Sequence, residues 1–453
     1  MLSSLVDEFL VGYLKREPYA SKEDLVNVLA GVELLVRYNK DKSLEEIIDL
    51  IIEDNIQDFE LIRKKYGVPG YTASIKVAGF NVKLYGGNIN YLSEDMPENA
   101  LFDIASMTKF YTQIIAYNLI KEGVFSRSNK IKDLDSRFVN LGDLTVDDIL
   151  TFGVTFQTNG LIKDKKTIAE AMDTLFNTKV IDKGKWNYND IGLMIMKEVM
   201  EKLTGLTYPE LVDKYIVYPL HLTDTHIIVP KTKYKLITGT PNFREAKIND
   251  MTANAVGGYS GHAGIFTTSD DLVRLMMGVR MKEIVPNIKD AYTPGKLNDA
   301  IGIMGNAYTT NPKGLEKTFV DITEPRDTFA IAGSTRVNAA SSNDSTYNVL
   351  FNPSSMSIAE ARERVNKINE EREKQGLKPI DPVKEYEFDR DGKLIKYTLI
   401  DPRSLLPVDP MAEVVRNISL TSLKLRFLDF AIKKYGEKVD AMNITRNGKQ
   451  EGR

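Results

Sequence analysis

The sequence has no cysteine, one tryptophan and three histidines in 453 residues. Without thiols there is no disulfide, no thiol nucleophile and no cysteine-ligated metal. His221, His226 and His262 show no metal-site spacing, so neither a metal nor another cofactor is expected. Long hydrophobic runs are missing too, which excludes a helical membrane span. Positive charge is not in excess: 60 Lys and Arg stand against 63 Asp and Glu, a net charge of -3. That balance argues against a nucleic-acid groove or a polybasic membrane anchor. The first residues carry no basic cluster ahead of an apolar run, and Asp7 and Glu8 interrupt that run before it reaches the length of a secretion signal. The expected location is the cytoplasm, with the cell envelope or the exterior as the alternative if a leader has been removed.

What is present is enough apolar sequence, 42% of residues, to bury a large core in two or three domains or one large α/β body. Leu2, Leu5, Val6, Phe9 and Leu10, then Leu25, Val26, Val28, Leu29, Val32, Leu34 and Leu35, recur at helical spacing. Residues 1–50 therefore read as a helical extension that packs on the body or makes an oligomer contact. A charged helix is predicted from Ser43 to Tyr66, before Gly67 and Pro69. Tyr71–Val77 and Phe80–Tyr85 flank Ala78-Gly79 as a hairpin. From about 122 to 309 the pattern is helix and loop. Strands return at Thr328–Val337 and Thr346–Phe351. A charged helix from Ser357 to Gln375 reads as a solvated face. Beyond it come a hairpin at 386–400 turning on Arg390-Asp391-Gly392, an amphipathic helix over 410–435 and a frayed polar tail. The expected division is a helical extension at 1–50, a body at 51–376 with a helical insertion, and a C-terminal extension at 377–453 whose role stays open. A sheet built from both ends of the body, with helices inserted between, leaves a cleft where they meet.

The stretch Phe102-Asp103-Ile104-Ala105-Ser106-Met107-Thr108-Lys109 opens a helix and contains the only Ser-x-x-Lys in the chain. Positions i and i+3 share a helix face. A lysine one turn from a serine hydroxyl can take its proton if burial lowers the lysine pKa, or can support another base if it stays charged. The helix N-terminus adds free N–H groups beside that hydroxyl.

Further segments give the motif its context: Val68-Pro69-Gly70-Tyr71, Leu144-Thr145-Val146-Asp147-Asp148-Ile149-Leu150, Tyr188-Asn189-Asp190-Ile191-Gly192, and Gly257-Gly258-Tyr259-Ser260-Gly261-His262-Ala263-Gly264-Ile265-Phe266. In this order, over about 66–352, the chain resembles the serine hydrolases built like penicillin-binding proteins and class C β-lactamases, in the branch with esterases and D-amino-acid peptidases. The resemblance implies an α/β (α+β) fold: an antiparallel sheet flanked by helices, a mainly helical subdomain, and the active site between them. It implies Ser106 as nucleophile, with Lys109 and Tyr188 handling protons and Asp190 able to hold Lys109 charged. The family's third motif, usually Lys-Thr-Gly or His-x-Gly, has two candidates here. His262-Ala263-Gly264 has the letters but lies in an earlier element, so Ile331-Ala332-Gly333 is preferred, with the N–H of Ser334 joining that of Ser106 as an oxyanion hole. Ile331 then stands where the family has a polar side chain. Arg336 either replaces that group toward a substrate carboxylate or points to solvent. His262 is expected to be a structural loop residue donating to backbone.

The resemblance implies a carboxylesterase-like hydrolase acting through an acyl-enzyme on a small-molecule or short-peptide substrate. A D,D-carboxypeptidase or β-lactamase activity on cell-wall peptides is one alternative; a hydrolase-like binding protein without turnover is another. No nucleic-acid partner is expected, and the oligomeric state is open.

Overall fold

The structure, a computed structural model, describes residues 3–15, 22–39, 41–66, 69–89, 95–185, 187–238, 246–285, 329–335, 337–342, 345–351, 366–367, 369–376, 386–388, 394–397, 410–434 and 442–447. Three amphipathic helices open the chain: α1 (Ser3–Leu14), α2 (Lys22–Tyr38) and α3 (Leu44–Tyr66). The start of α3 is fixed by a reciprocal cap, in which the Ser43 hydroxyl accepts from the Glu46 amide and the Glu46 carboxylate accepts from the Ser43 amide. β1 (Gly70–Val77) and β2 (Phe80–Gly87) follow as the expected hairpin. Its turn, Ala78-Gly79, has both residues at positive φ, the geometry that matches strand twist in a two-residue hairpin.

β3 (Phe102–Asp103) leads into α4 (Thr108–Lys121), the helix that follows Ser106. The helical region beyond it carries an antiparallel strand pair absent from the sequence reading, β4 (Val154–Gln157) with β5 (Lys179–Lys183). β6 (Phe266–Thr267) pairs antiparallel with β3 and is followed by the helix Ser269–Arg280. The expected single strand at 328–337 is two: β7 (Phe329–Gly333) and β8 (Val337–Ser341) run antiparallel, so the chain reverses just after Gly333. β9 (Ser345–Phe351) then returns beside β1. Of the charged helix expected at 357–375, only helical residues near its end are described. β10 (Tyr386–Phe388) and β11 (Leu394–Tyr397) form the later hairpin, whose turn lies outside the described residues. The helix Pro410–Lys434 matches the amphipathic pattern. The tail is not frayed throughout: β12 (Met442–Asn447) joins the main sheet parallel to β2. Edge strands leave unpaired N–H and C=O groups, and β12 satisfies those of β2.

The main sheet has the order β12-β2-β1-β9-β8-β7, antiparallel apart from β12. On one face Tyr71, Ala73, Ile75, Tyr347 and Val349 pack against α1 to α3 and the helix Pro410–Lys434, through Leu10, Leu29, Ile52, Phe59 and Phe427. The opposite face meets Ser269–Arg280 through a small polar layer. Ser74 and Ser269 hydroxyls lie 2.6 Å apart, Ser269 Oγ donates to Asn348 Oδ1, and Asn348 Nδ2 donates to the Ser269 carbonyl. These groups satisfy one another, as buried polar atoms must. Beyond that layer a second core, including Ile104, Met107, Phe110, Leu193 and Ile331, joins sheet to helical region. β3, the start of α4 and the end of β7 lie at that junction. Among the described residues no helix is long and apolar enough to cross a membrane.

Candidate active site

Ser106 sits in a single 3-10 turn, Ala105–Met107, between β3 and α4. Two contacts fix the approach: β3 pairs with β6, and the Ile104 amide donates to the Ile265 carbonyl at 3.0 Å. Ala105, just before the serine, has φ of +44°, a left-handed conformation that a residue with Cβ adopts only when its surroundings impose it. Ser106 is half-buried.

Lys109 is not the cleft-surface lysine that its charge suggests; its side chain is 0% exposed. It reaches Ser106 Oγ at 3.0 Å and pairs with Asp190 Oδ1 at 2.7 Å. Its Nζ also lies 4.8 Å from the Tyr188 ring centre. Burial pushes the Lys109 pKa down, but Tyr188 and Asp190 outweigh burial and hold it above its ordinary value. The lysine beside the serine is thus an ammonium.

Tyr188 lies on the loop before the helix Ile191–Thr204, and the neighbouring asparagines clamp that loop to the helical region. The Asn187 amide donates to the Phe152 carbonyl and its side chain to Thr155 Oγ1. Asn189 donates to the Val154 carbonyl and accepts from the Gly192 amide, satisfying a free N–H at the helix start. The Tyr188 ring stacks on Phe152, centroids 5.6 Å apart and planes 16° apart, and remains 42% exposed.

The end of β7 comes from the far side. A Cβ placed on Gly333 would lie 2.4 Å from the Ile104 carbonyl oxygen, so only glycine lets this strand approach the Ser106 turn so closely. Ser334 follows and is exposed, while Ile331 is 1% exposed in the core that holds Ile104 and Met107. Arg336 lies outside the described residues. His262 does not donate to backbone as expected: its Nε2 lies 3.0 Å from Asp250 Oδ1, and the ring is buried. The reason is local, since Asp250 caps the helix Met251–Ala255 through the Ala253 amide and so presents its carboxylate to the ring.

Sequence reasoning missed three groups that surround the turn. Asp103 accepts from the Ala105 amide at 2.8 Å and the Asn249 amide at 2.7 Å. Thr335 Oγ1 donates to the Asp103 carbonyl at 2.6 Å. Asp250 has its carboxyl pushed up by burial but pulled down further by His262, the Ala253 amide and the Lys109 charge, to about 2. The Asp250 cap position was readable from the helix start after it. The contacts linking Asp103 to residues 249 and 335 cross too much sequence to leave a periodic signal. Among the described residues no cluster of His, Asp and Glu could hold a metal ion.

Comparison with known proteins follows the same outline. A beta-lactamase family model matches residues 56–312, more than half of the chain. An N-acetylmuramyl-L-alanine amidase from Bacillus subtilis (strain 168) is 26% identical over 249 residues, covering 46% of this chain and 56% of the relative. The chain spans 50 to 68% of the length of the curated relatives it matches. A class C beta lactamase crystal structure superposes with a TM-score of 0.56 at 18% identity, over 72% of this chain and 97% of the other. EstCE1, a hydrolase with promiscuous acyltransferase activity, superposes with a TM-score of 0.52 at 14% identity, over 67% and 94%. The architecture shared with these structures is the β-lactamase/transpeptidase fold, an antiparallel sheet flanked by helices with a mainly helical subdomain. The relatives and structures that match this chain are named for different activities, so the likeness does not choose a substrate.

Proposed function

The chain belongs to the beta-lactamase family of hydrolases, and from that premise we propose that it is a serine hydrolase working through an acyl-enzyme, carboxylesterase-like in substrate. One observation carries the reading: a buried ammonium, Lys109, touches both the Ser106 hydroxyl and the Asp190 carboxylate. A lysine kept charged cannot accept the serine proton, so Tyr188 is the base. Its Oη takes the proton of Ser106 as Oγ attacks the substrate carbonyl carbon. The oxyanion of the tetrahedral intermediate accepts from the amides of Ser106 and Ser334, a role supported by the close approach of Gly333 to Ile104. Collapse breaks the bond to the leaving alcohol, which receives the proton from Tyr188. Water then attacks the acyl carbonyl and passes its proton to Tyr188, and collapse breaks the bond to Ser106 Oγ, which takes that proton back from Tyr188.

Ile331 supports a neutral ester over a carboxylate-bearing substrate, because a buried aliphatic side chain offers an anion no hydrogen bond. The test is intact-mass measurement after separate incubation with a fluorophosphonate, benzylpenicillin and a D-Ala-D-Ala peptide, with Ser106→Ala as control. The expected result is rapid fluorophosphonate addition, absent from the control, and turnover of p-nitrophenyl butyrate. Rapid addition by penicillin or the peptide would move the substrate class to cell-wall peptides. A fluorophosphonate adduct without ester or peptide turnover would leave the binding-protein reading.

A further inference from the structure

Asp103 is a carboxylate buried behind the nucleophile that the chemistry above does not use. It is 2% exposed, and among the described residues no lysine, arginine or histidine pairs with it. Burying an anion without a cation is expensive. Its bonds explain what it does there. One carboxylate oxygen accepts from Ala105, the left-handed residue before Ser106, and the other accepts from Asn249. The carbonyl of the same residue accepts from Thr335, next to Ser334. Asp103 thus joins the nucleophile turn, the segment carrying Asp250 and the end of β7. Two N–H donors call for two acceptor oxygens, which a carboxylate has and a carboxamide does not.

We propose that Asp103 is a positioning residue for acylation: by bridging the Ala105 and Asn249 amides it holds the strained turn in which Ser106 faces Lys109 and the oxyanion donors. This rests on Ser106 being the nucleophile. Protonated Asp103 would turn an O–H donor toward one of the two N–H donors and release the turn. Burial raises its carboxyl to about 6; the amides of Asn249 and Ala105 act against that rise, and the charge of Asp250 adds to it. Among the described residues, the other charged or titratable groups around the turn are Asp250 and His262 from the loop side, Lys109 from α4, and Tyr188 and Asp190 from the loop opposite. Of these, Asp250 is held down to about 2 and Lys109 is held charged.

The test follows the rate of fluorophosphonate addition to Ser106 from about pH 5 to about pH 8, with circular dichroism to verify folding. Wild-type protein should lose rate as pH falls below about 6, where Asp103 takes up its proton. Asp103→Asn should be slower at high pH by about 10- to 100-fold, the scale of a small misplacement of a reacting group, and its profile should lack that acid limb. Asp103→Ala should be slower still. Ala105→Gly added to Asp103→Ala should recover about tenfold, because glycine takes a positive φ without strain; a generic loss of stability would not be repaired this way. Asp103→Asn with wild-type rate and wild-type acid limb overturns the proposal, as does failure of Ala105→Gly to recover any rate. If neither Asp103 variant folds, Thr335→Val decides: it removes the bond to the Asp103 carbonyl and should slow labelling about tenfold, and an unchanged rate overturns the proposal. A wild-type protein that takes no label overturns the nucleophile reading and this proposal together, whereas labelled wild type with indifferent variants overturns this proposal alone.

Discussion

At the scale of single residues, the proposed mechanism separates a charge that must stay from a proton that must move. Lys109 is buried with Asp190 and Ser106 in contact, and in the proposed mechanism it remains positive while Tyr188 shuttles the proton. Tyr188→Phe keeps the stack on Phe152 and removes only the hydroxyl, so the fold should survive. Turnover of p-nitrophenyl butyrate should fall by about two to four orders of magnitude, the range of positioned proton transfer. A loss below about threefold, too small for that chemistry, would assign the proton elsewhere. Asp103 yields a second expectation, in stability. Its folded pKa is raised from 3.8 to about 6, so the native state binds this proton more tightly than the unfolded chain. Its favourable contribution is full below about pH 4 and is lost as pH rises through 6, a change of about 3 kcal/mol. Asp250, held down to about 2, acts in the opposite sense at lower pH, losing stability as pH falls from 3.8 toward 2. The difference between wild type and Asp103→Asn isolates the first effect: urea midpoints should shift in favour of the variant as pH rises from about 4 to about 6.5. A pH-independent difference would show that Asp103 ionises normally. Ser106, Lys109, Tyr188 and Asp190 were readable because a short motif names each; Asp103 was not, because an aspartate before a helix reads as any other polar residue until Asn249 and Thr335 are folded against it.

At the scale of elements, the local signals were the legible ones. The β1–β2 hairpin and α3 were readable because their periodicity, turn residues and caps lie within a few positions of one another. The reversal between β7 and β8 was hidden because both strands are apolar, and the break depends on Gly333 meeting Ile104 from a distant part of the chain. β12 was hidden because parallel pairing to an edge needs a partner far away in sequence. The register of β7 carries a substrate expectation. It directs Ile331 into the core at the nucleophile side of the sheet, where a carboxylate would find no partner from this strand. Benzylpenicillin should therefore acylate Ser106 at least about 100-fold more slowly than p-nitrophenyl butyrate, which corresponds to roughly 3 kcal/mol for a missing hydrogen bond to a charged group. Ile331→His should narrow that gap if the strand keeps its place. Fast penicillin acylation, unchanged in Arg336→Ala, would mean that a group other than Ile331 or Arg336 receives the carboxylate.

At the scale of the whole molecule, two cores lie on opposite faces of one sheet, and only one of them contains the residues flanking Ser106. The other is closed by α1 to α3 from the start of the chain and by the helix Pro410–Lys434 from near its end. Phe427 is central to that closure: it is fully buried and meets Phe9 of α1 edge-on, with ring centroids 5.4 Å apart. Removing a buried aromatic leaves a cavity as well as losing transfer energy, so Phe427→Ala should destabilise the protein by about 3 to 5 kcal/mol. Because a β-sheet stands between this core and Ser106, the protein that remains folded should keep its acylation rate; distant sites without shared partners behave almost independently. Urea denaturation and fluorophosphonate labelling at low temperature measure the two quantities separately. A labelling rate that falls in step with stability would show that the terminal helices shape the nucleophile turn through the sheet. An unchanged urea midpoint would mean that they add little to the core they cover.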